Sequence, residues 1–427
     1  MPTPPSFQLR EGVTHCEDVP LPDIARAVGT PVFVYSANAM REQARALRAA
    51  LSSLADPLVA FAVKANPNIA VLTTLAKEGL GADVVSGGEY LRARAAGVAP
   101  DKILFSGVGK TAEEMRTALA GGLCQFNLES FPEAEMLSQI AQSMGRTAPV
   151  AFRVNPDVDA GSHAKISTGA AHNKFGIPIG DALAACTTLR GLGGLELKGL
   201  AVHIGSQLTR LAPLEAAIAR VGEAITLLRA HGHRVSTADL GGGLGISYDP
   251  AAAPPPSVED YGAMVARLTR GWDVRLIFEP GRLIVGDAGV LLTEVIRIKP
   301  GAGNPFVVVD AAMNDLVRPS LYDAWHQITA VAPGGEEMIA DVVGPICESG
   351  DVFAVARRLD RVEADDLMAI HGAGAYAATM AGTYNSRALA PEVLVDGADW
   401  AVVRARRGTE AFLADETVPA WLERGRG

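Results

Sequence analysis

Cysteine is scarce in this chain. Cys16, Cys124, Cys186 and Cys347 lie far apart and form no C-x-x-C pair, which excludes a zinc framework and a disulfide scaffold and points to a reducing, cytoplasmic setting. An excess of basic charge is also missing: 38 Lys and Arg face 48 Asp and Glu, a formal charge of −10. Nucleic acid and anionic membranes attract basic surfaces, so neither is expected as a general partner, although a few local arginines can still hold a small anion. Every long apolar run is interrupted by charge or glycine, and the opening "MPTPPSFQLREGVTH" has no basic stretch followed by an apolar one. The expectation is a soluble protein without a membrane span or secretory leader.

What the chain does have is apolar content, 48% of 427 residues, enough for two domains or for one barrel with an appended module. Short β-branched runs recur: "LVAFAVK" (58–64), "GADVVS" (81–86), "KILFSG" (102–107), "CQFNLES" (124–130), "PVAFRVN" (149–155), "LKGLAVHIG" (197–205), "VSTADLGG" (235–242) and "RLIFEPG" (275–281). Amphipathic stretches such as "NIAVLTTLAKEG" and "TAEEMRTALAGG" separate them, several opening on a capping residue and closing on glycine. Eight βα units in succession predict a (β/α)8 barrel over residues 36–282. After residue 282 the pattern changes to strands parted by Gly, Pro and Asp, among them "GVLLTEVIRIKP", "PFVVVDAA" and "WAVVRARR". Residues 283–427, joined by 1–35 with their strand-like "TPVFVYS", are expected to form a second, mainly β domain. The Pro-rich "DPAAAPPPSVED" (249–260) reads as a surface loop ahead of a helix.

Barrel enzymes carry their chemistry at the C-terminal strand ends, and the loops after strands 7 and 8 often hold phosphate. Those ends supply Lys64, Asp83 with Ser86, Ser106, Glu129, Asn155, His203 with Ser206, Gly241 to Gly243, and Glu279 with Arg282. Three glycines in a row expose backbone N–H groups to an anion without a Cβ in the way, and the "EPGR" arginine adds charge. By itself Lys64 reads as a solvated strand end. With a phosphate cradle, an acid in Glu279 and a stacking ring in His203, the set is what pyridoxal phosphate requires: a lysine for the aldehyde, an anchor for the phosphate, an acid at the pyridine nitrogen and a ring over its face. Burial in the barrel mouth is expected to lower the lysine's pKa.

Other motifs are weaker. "GGGLGI" has Ile246 where a dinucleotide fingerprint needs glycine, and "GAGAYA" (372–377) matches that fingerprint without a βαβ unit after it. His231 and His233 read as a solvated turn at a helix end. Cys347 in "GPICESGD" reads either as a small buried hydrophobe or, beside Glu348 and Asp351, as part of a functional loop.

Ten segments in order, "AFAVKANPN", "GADVVSGGE", "ILFSGVGKT", "FRVNPDVDAGSHAKISTGAAHNKFGI", "VHIGSQ", "DLGGGLGI", "FEPGRLIV", "DAAMNDLVRPSLYDAWH", "VVGPICESGD" and "GAYAATMAGTYNSR", strongly resemble the diaminopimelate decarboxylase family. That resemblance implies an alanine-racemase-like fold, a (β/α)8 barrel plus a β domain, and pyridoxal 5'-phosphate as cofactor. It implies Lys64 as the lysine that holds the cofactor, with Asp83, His203, Ser206, Gly241, Gly242, Gly243, Glu279, Pro280, Gly281, Arg282 and Tyr376 around it. Arg282, Arg318, Tyr322, Glu348 and Tyr376 would bind substrate. Cys347 would donate the proton from a loop that reaches a neighbouring subunit, so a homodimer is implied. The expected reaction is decarboxylation of meso-diaminopimelate to L-lysine; the alternative is an ornithine or lysine decarboxylase of the same fold. A diaminopimelate site needs cations for the distal carboxylate, a role open to Arg282 and Arg318, and an anion for the ammonium, a role open to Glu348. The sequence leaves the proton donor open between Cys347 and the Lys64 amine.

Overall fold

A computed structural model of the chain describes residues 6–159 and 174–423; residues 160–173, the middle of the 152–177 segment quoted above, lie outside them. The chain divides into two compact units. One comprises Ser36–Gly289 with Gly374–Thr379, the other Phe7–Tyr35, Val290–Ala373 and the chain from Met380 onward.

Each of the eight sequence runs yields one strand of the first unit: β1 Leu58–Ala62, β2 Gly81–Val84, β3 Ile103–Phe105, β4 Gln125–Leu128, β5 Ala148–Asn155, β6 Leu195–Val202, β7 Thr237–Asp239 and β8 Arg275–Phe278. They pair in parallel in that order, and β8 returns to β1 with Ile277 opposite Leu58, which closes the eight-stranded barrel. The intervening helices start where the sequence offers a side-chain acceptor to orphan N–H groups. Asn68 accepts from Ala70 N, Ser86 from Glu89 N and Ser130 from Glu133 N, while Thr111 and Glu114 form a reciprocal capping box. Ser257 caps the helix Val258–Leu268 directly after the Pro-rich loop.

Inside the barrel, Leu58, Ala60, Leu104 and Ile277 pack as one apolar layer. A polar chain also runs through the interior. Thr237 Oγ1 donates to Gln125 Oε1 at 2.7 Å, Gln125 Nε2 to Asn127 Oδ1 at 2.8 Å, and Asn127 Nδ2 to Asp239 Oδ2 at 2.8 Å. Gln125 and Asp239 are fully buried, so this chain satisfies groups that would otherwise be costly, and it orients Asp239.

The second unit is built on a mixed sheet. Its path runs Val352–Asp360, Glu337–Val343, Phe306–Val309, Gly289–Lys299, Val32–Ser36, Glu392–Asp396, Asp399–Arg404, with Leu367–Ile370 attached to Gly289–Lys299 and Ile328–Ala330 attached in turn to Leu367–Ile370. The "VFVYS" run near the N-terminus is thus a central strand. Phe7, Leu21, Ile24, Val32, Val34, Leu292, Val393 and Val395 share the core.

Leu104→Ala empties part of the barrel's apolar layer. It should cost about 2–5 kcal/mol, read as a lower denaturant midpoint of the first unit.

Candidate active site

Lys64 follows β1 on a short 3-10 turn, Val63–Ala65, with its side chain 35% exposed. Its Nζ lies 3.0 Å from Oδ2 of the fully buried Asp83 at the end of β2. Burial acts against the ammonium, but Asp83, Tyr376 and Glu279 outweigh it, so the Lys64 pKa is raised, not lowered. The sequence expectation is corrected here: it counted desolvation and could not see a carboxylate brought to the amine from 19 residues away.

Glu279, at the end of β8, is buried against Asp239 at the end of β7. Its Oε1 accepts from Ser106 Oγ at 3.2 Å and from Asn127 Nδ2 at 3.3 Å. Burial, then Asp239 and Asp83, push the Glu279 carboxyl well above the usual carboxylate range. Both carboxyls of the pair are thus shifted toward the protonated form, and a cationic group brought near them would favour their ionisation. His203 shows the opposite shift: burial, then Arg153 and Lys64, hold it well below the usual imidazole value. Its Nδ1 accepts from Gly242 N at 3.3 Å. A neutral imidazole with a committed Nδ1 offers a flat, uncharged face.

The glycine turn after β7 is constrained by packing as well as by its openness. A Cβ on Gly241, Gly242 or Gly243 would lie 2.4 Å from Val202 O, 2.2 Å from Glu279 O or 2.5 Å from Gly205 O, and Gly241 and Gly243 adopt φ of 66° and 113°. Only bare backbone fits. In the adjoining segment Pro280 O accepts from Ala62 N at 3.0 Å, which ties "EPGR" to β1. A Cβ on Gly281 would meet the Tyr376 hydroxyl oxygen at 3.2 Å. Arg282 is buried; its Nη2 donates to Ser206 Oγ at 3.1 Å, and its guanidinium lies 4.8 Å from the centre of the Tyr376 ring. Tyr376 has the left-handed φ of 54°, with its N–H donating to Ala65 O at 2.8 Å. Lys64, His203, Ser206, the three glycines, Glu279 to Arg282 and Tyr376 line one cavity. A second, of about 340 Å³, also touches Lys64, His203 and Glu279 and adds Ser106, Asn127 and Arg153.

In the second unit, Arg318 opens the short helix Arg318–Tyr322 and is buried, while Tyr322 is half-buried. Cys347 and Glu348 are exposed, so Cys347 is no buried hydrophobe. Their loop is nonetheless pinned: Cys347 N donates to Asn385 Oδ1 at 2.9 Å, and Asp351 accepts from Ile346 N at 2.7 Å and Met313 N at 2.6 Å. Outside the site, His231 is exposed at its helix end, but His233 is buried beside Thr187, where a solvated turn was expected.

Sequence reasoning missed Asp239, Asn127, Arg153 and Tyr248. Asp239 had a usable signal, standing two residues before the glycines. Arg153, bonded to Glu129 at 3.0 Å, and Tyr248, hydrogen-bonded to Arg282, had none short of the fold.

These residues suit pyridoxal phosphate. The glycine turn is a cradle from which any Cβ is barred, Arg282 and Ser206 stand beside it with donors for an anion, and Asp83 Oδ1 is a buried oxygen without a hydrogen-bond partner among the described residues. An amine open to an aldehyde, set on a barrel with an anion cradle, defines a pyridoxal-dependent enzyme. Residues 39–286 match the family model described as "Pyridoxal-dependent decarboxylase, pyridoxal binding domain".

The chain is 56% identical over 418 residues to diaminopimelate decarboxylase of Zymomonas mobilis, covering 97% of this chain and 99% of that protein. To the enzyme of the same name from Neisseria meningitidis serogroup A it is 46% identical over 402 residues, 94% and 98% of the two chains. The crystal structure of diaminopimelate decarboxylase from M. jannaschii in complex with L-lysine superposes with a TM-score of 0.95 at 34% identity, covering 99% and 100%. The chain belongs to the diaminopimelate decarboxylase family.

Two outcomes are expected. Gly242→Ala forces a Cβ onto Glu279 O and should weaken pyridoxal phosphate retention at least about tenfold, measured as cofactor content after dialysis. Because pairing raises the Lys64 pKa, its neutral amine is the minor form near neutrality. Covalent capture of added cofactor by the stripped protein should accelerate up to about tenfold per pH unit between about pH 7 and 9. Asp83→Asn, which removes the largest of the contributions that oppose burial, should shift that dependence to lower pH, followed by stopped-flow absorbance.

Proposed function

We propose that this protein removes carbon dioxide from the D-configured centre of meso-2,6-diaminopimelate and releases L-lysine, the last step of lysine biosynthesis. The single observation that carries the reading is the convergence of Lys64, the Glu279–Asp239 pair, neutral His203 and the bare glycine turn at one barrel mouth, in a chain 56% identical to a diaminopimelate decarboxylase over nearly its whole length.

Pyridoxal phosphate supplies a carbonyl for covalent attachment and a ring that accepts the electrons left when carbon dioxide departs. Lys64 holds it, and Asp83 keeps the amine directed into the mouth. The Gly241 to Gly243 backbone, Ser206 and Arg282 bind its phosphate. Glu279, with Asp239 behind it, would place negative charge at the ring nitrogen, and His203 would cover one ring face. Arg318 and Tyr322 bind the distal carboxylate of the substrate, Glu348 its distal ammonium, and Tyr376 orients the reacting end. Cys347 holds the proton that reaches Cα, in the site of a second copy. Its exposure on a loop fixed at three backbone positions supports that assignment and, with it, a homodimer. The four cysteines are free thiols, in keeping with a cytoplasmic enzyme. No described helix is long and apolar enough to cross a membrane.

Incubation with meso-diaminopimelate, L-lysine and L-ornithine separately should yield a decarboxylated product, identified by mass, from the first alone; a diamine from either of the others would contradict the assignment. Lys64→Ala should abolish turnover. Arg318→Ala should lower kcat/KM for diaminopimelate by about 100-fold, the scale of one lost charge-assisted bidentate contact.

A further inference from the structure

A buried arginine needs acceptors that also fix where its remaining donors point. Arg318 is 5% exposed, and its Nη1 donates to Nε2 of His326 at 2.9 Å. That bond fixes the tautomer of His326: Nε2 carries the lone pair, so the proton sits on Nδ1, which donates to His371 O at 2.7 Å. His326 is itself 1% exposed, and its carbonyl oxygen accepts from Arg357 Nη1 at 2.8 Å, while the Arg357 guanidinium lies 4.1 Å from the centre of the neighbouring Trp325 ring. The imidazole is therefore held at its ring and at its backbone. It is a neutral acceptor where a carboxylate would be the usual partner for an arginine. A carboxylate there would neutralise Arg318, whereas imidazole orients the guanidinium and leaves its positive charge uncompensated by that contact.

We infer that His326 is a positioning residue: it sets the direction of the Arg318 guanidinium while preserving its charge, and so determines recognition of the carboxylate at the distal end of the substrate. This rests on the reading of Arg318 given above. The corresponding specificity is for a ligand with an α-amino acid end over one ending in a bare ammonium.

Two competitive inhibitors separate these features without any need for turnover. L-Lysine keeps the distal amino acid end of diaminopimelate; cadaverine lacks its carboxylate. His326→Ala should raise the inhibition constant of L-lysine and KM for meso-diaminopimelate about tenfold or more, with kcat within about threefold and the cadaverine constant within about twofold. His326→Gln, whose Oε1 can accept in place of Nε2, should recover most of the ratio between the two inhibitors. His326→Leu, which fills the ring's volume without an acceptor, gives the same reading if the alanine variant fails to fold. Equal weakening of both inhibitors, or an unchanged L-lysine constant in the folded variants, overturns the inference. Arg318→Ala tests the underlying reading separately. A ratio unchanged in that variant sinks the role of Arg318; a ratio lost there but kept without the His326 acceptor sinks only the role of His326.

Discussion

Three carboxyl groups, Asp83, Asp239 and Glu279, are buried at the ends of β2, β7 and β8, and the ammonium of Lys64 contacts the first of them, Asp83, at 3.0 Å. Burial, and then the mutual repulsion of like charges collected in a low-dielectric interior, raise the pKa of Glu279 and of Asp239, and hydrogen bonds offset part of the repulsion. Asn127 bridges Asp239 and Glu279, Ser106 donates to Glu279, and Gly241 N donates to Asp239 Oδ1 at 2.9 Å. The raised pKa of Glu279, caused first by burial, and the raised pKa of Lys64 thus both draw on one negative cluster. The barrel supplies it at little conformational cost, since each carboxyl sits on or directly after a strand whose register is fixed by two neighbours.

The cationic side of the site follows a different rule. Arg282 stands beside the glycine turn, with Ser206 bound at its guanidinium and Tyr376 against its face. His203 is kept neutral first by burial and then by Arg153 and Lys64. The glycine turn with Arg282, the uncharged His203 ring and the acidic Glu279 therefore line one cavity, a charge pattern that suits a group carrying phosphate at one end and a protonated nitrogen at the other.

Much of this was legible before the fold. The eight strand runs and the caps Asn68, Ser86, Thr111 and Ser130 depend on local chemistry, and local chemistry is what a sequence displays directly. Strand-end positions followed from the barrel, so Lys64, Asp83, His203 and Glu279 could be named in advance. The sign of the Lys64 shift could not, because it is a contest between burial and a carboxylate whose distance only the closed sheet sets. The order of the second sheet was equally hidden. It places Val32–Ser36 between strands more than 250 residues further along the chain, and non-local pairing leaves no mark in a window of ten residues.

Charge economy also bears on the two buried arginines, Arg282, proposed for the cofactor phosphate, and Arg318, proposed for the substrate. Arg282 is bonded to hydroxyls, those of Ser206 and Tyr248; Arg318 is bonded to an imidazole nitrogen. The contacts named here are to neutral groups. A carboxylate partner would have bound either side chain more strongly in the free protein, and the ligand would then have had to displace it, so the affinity gained from a new ion pair would have been offset by the one lost. Neutral acceptors avoid this exchange. They satisfy part of each guanidinium's donor fork and fix its direction without adding an ion pair that an anionic ligand would have to displace. Discrimination between a substrate with a distal carboxylate and one without it is then greatest where the arginine's own partner carries no charge.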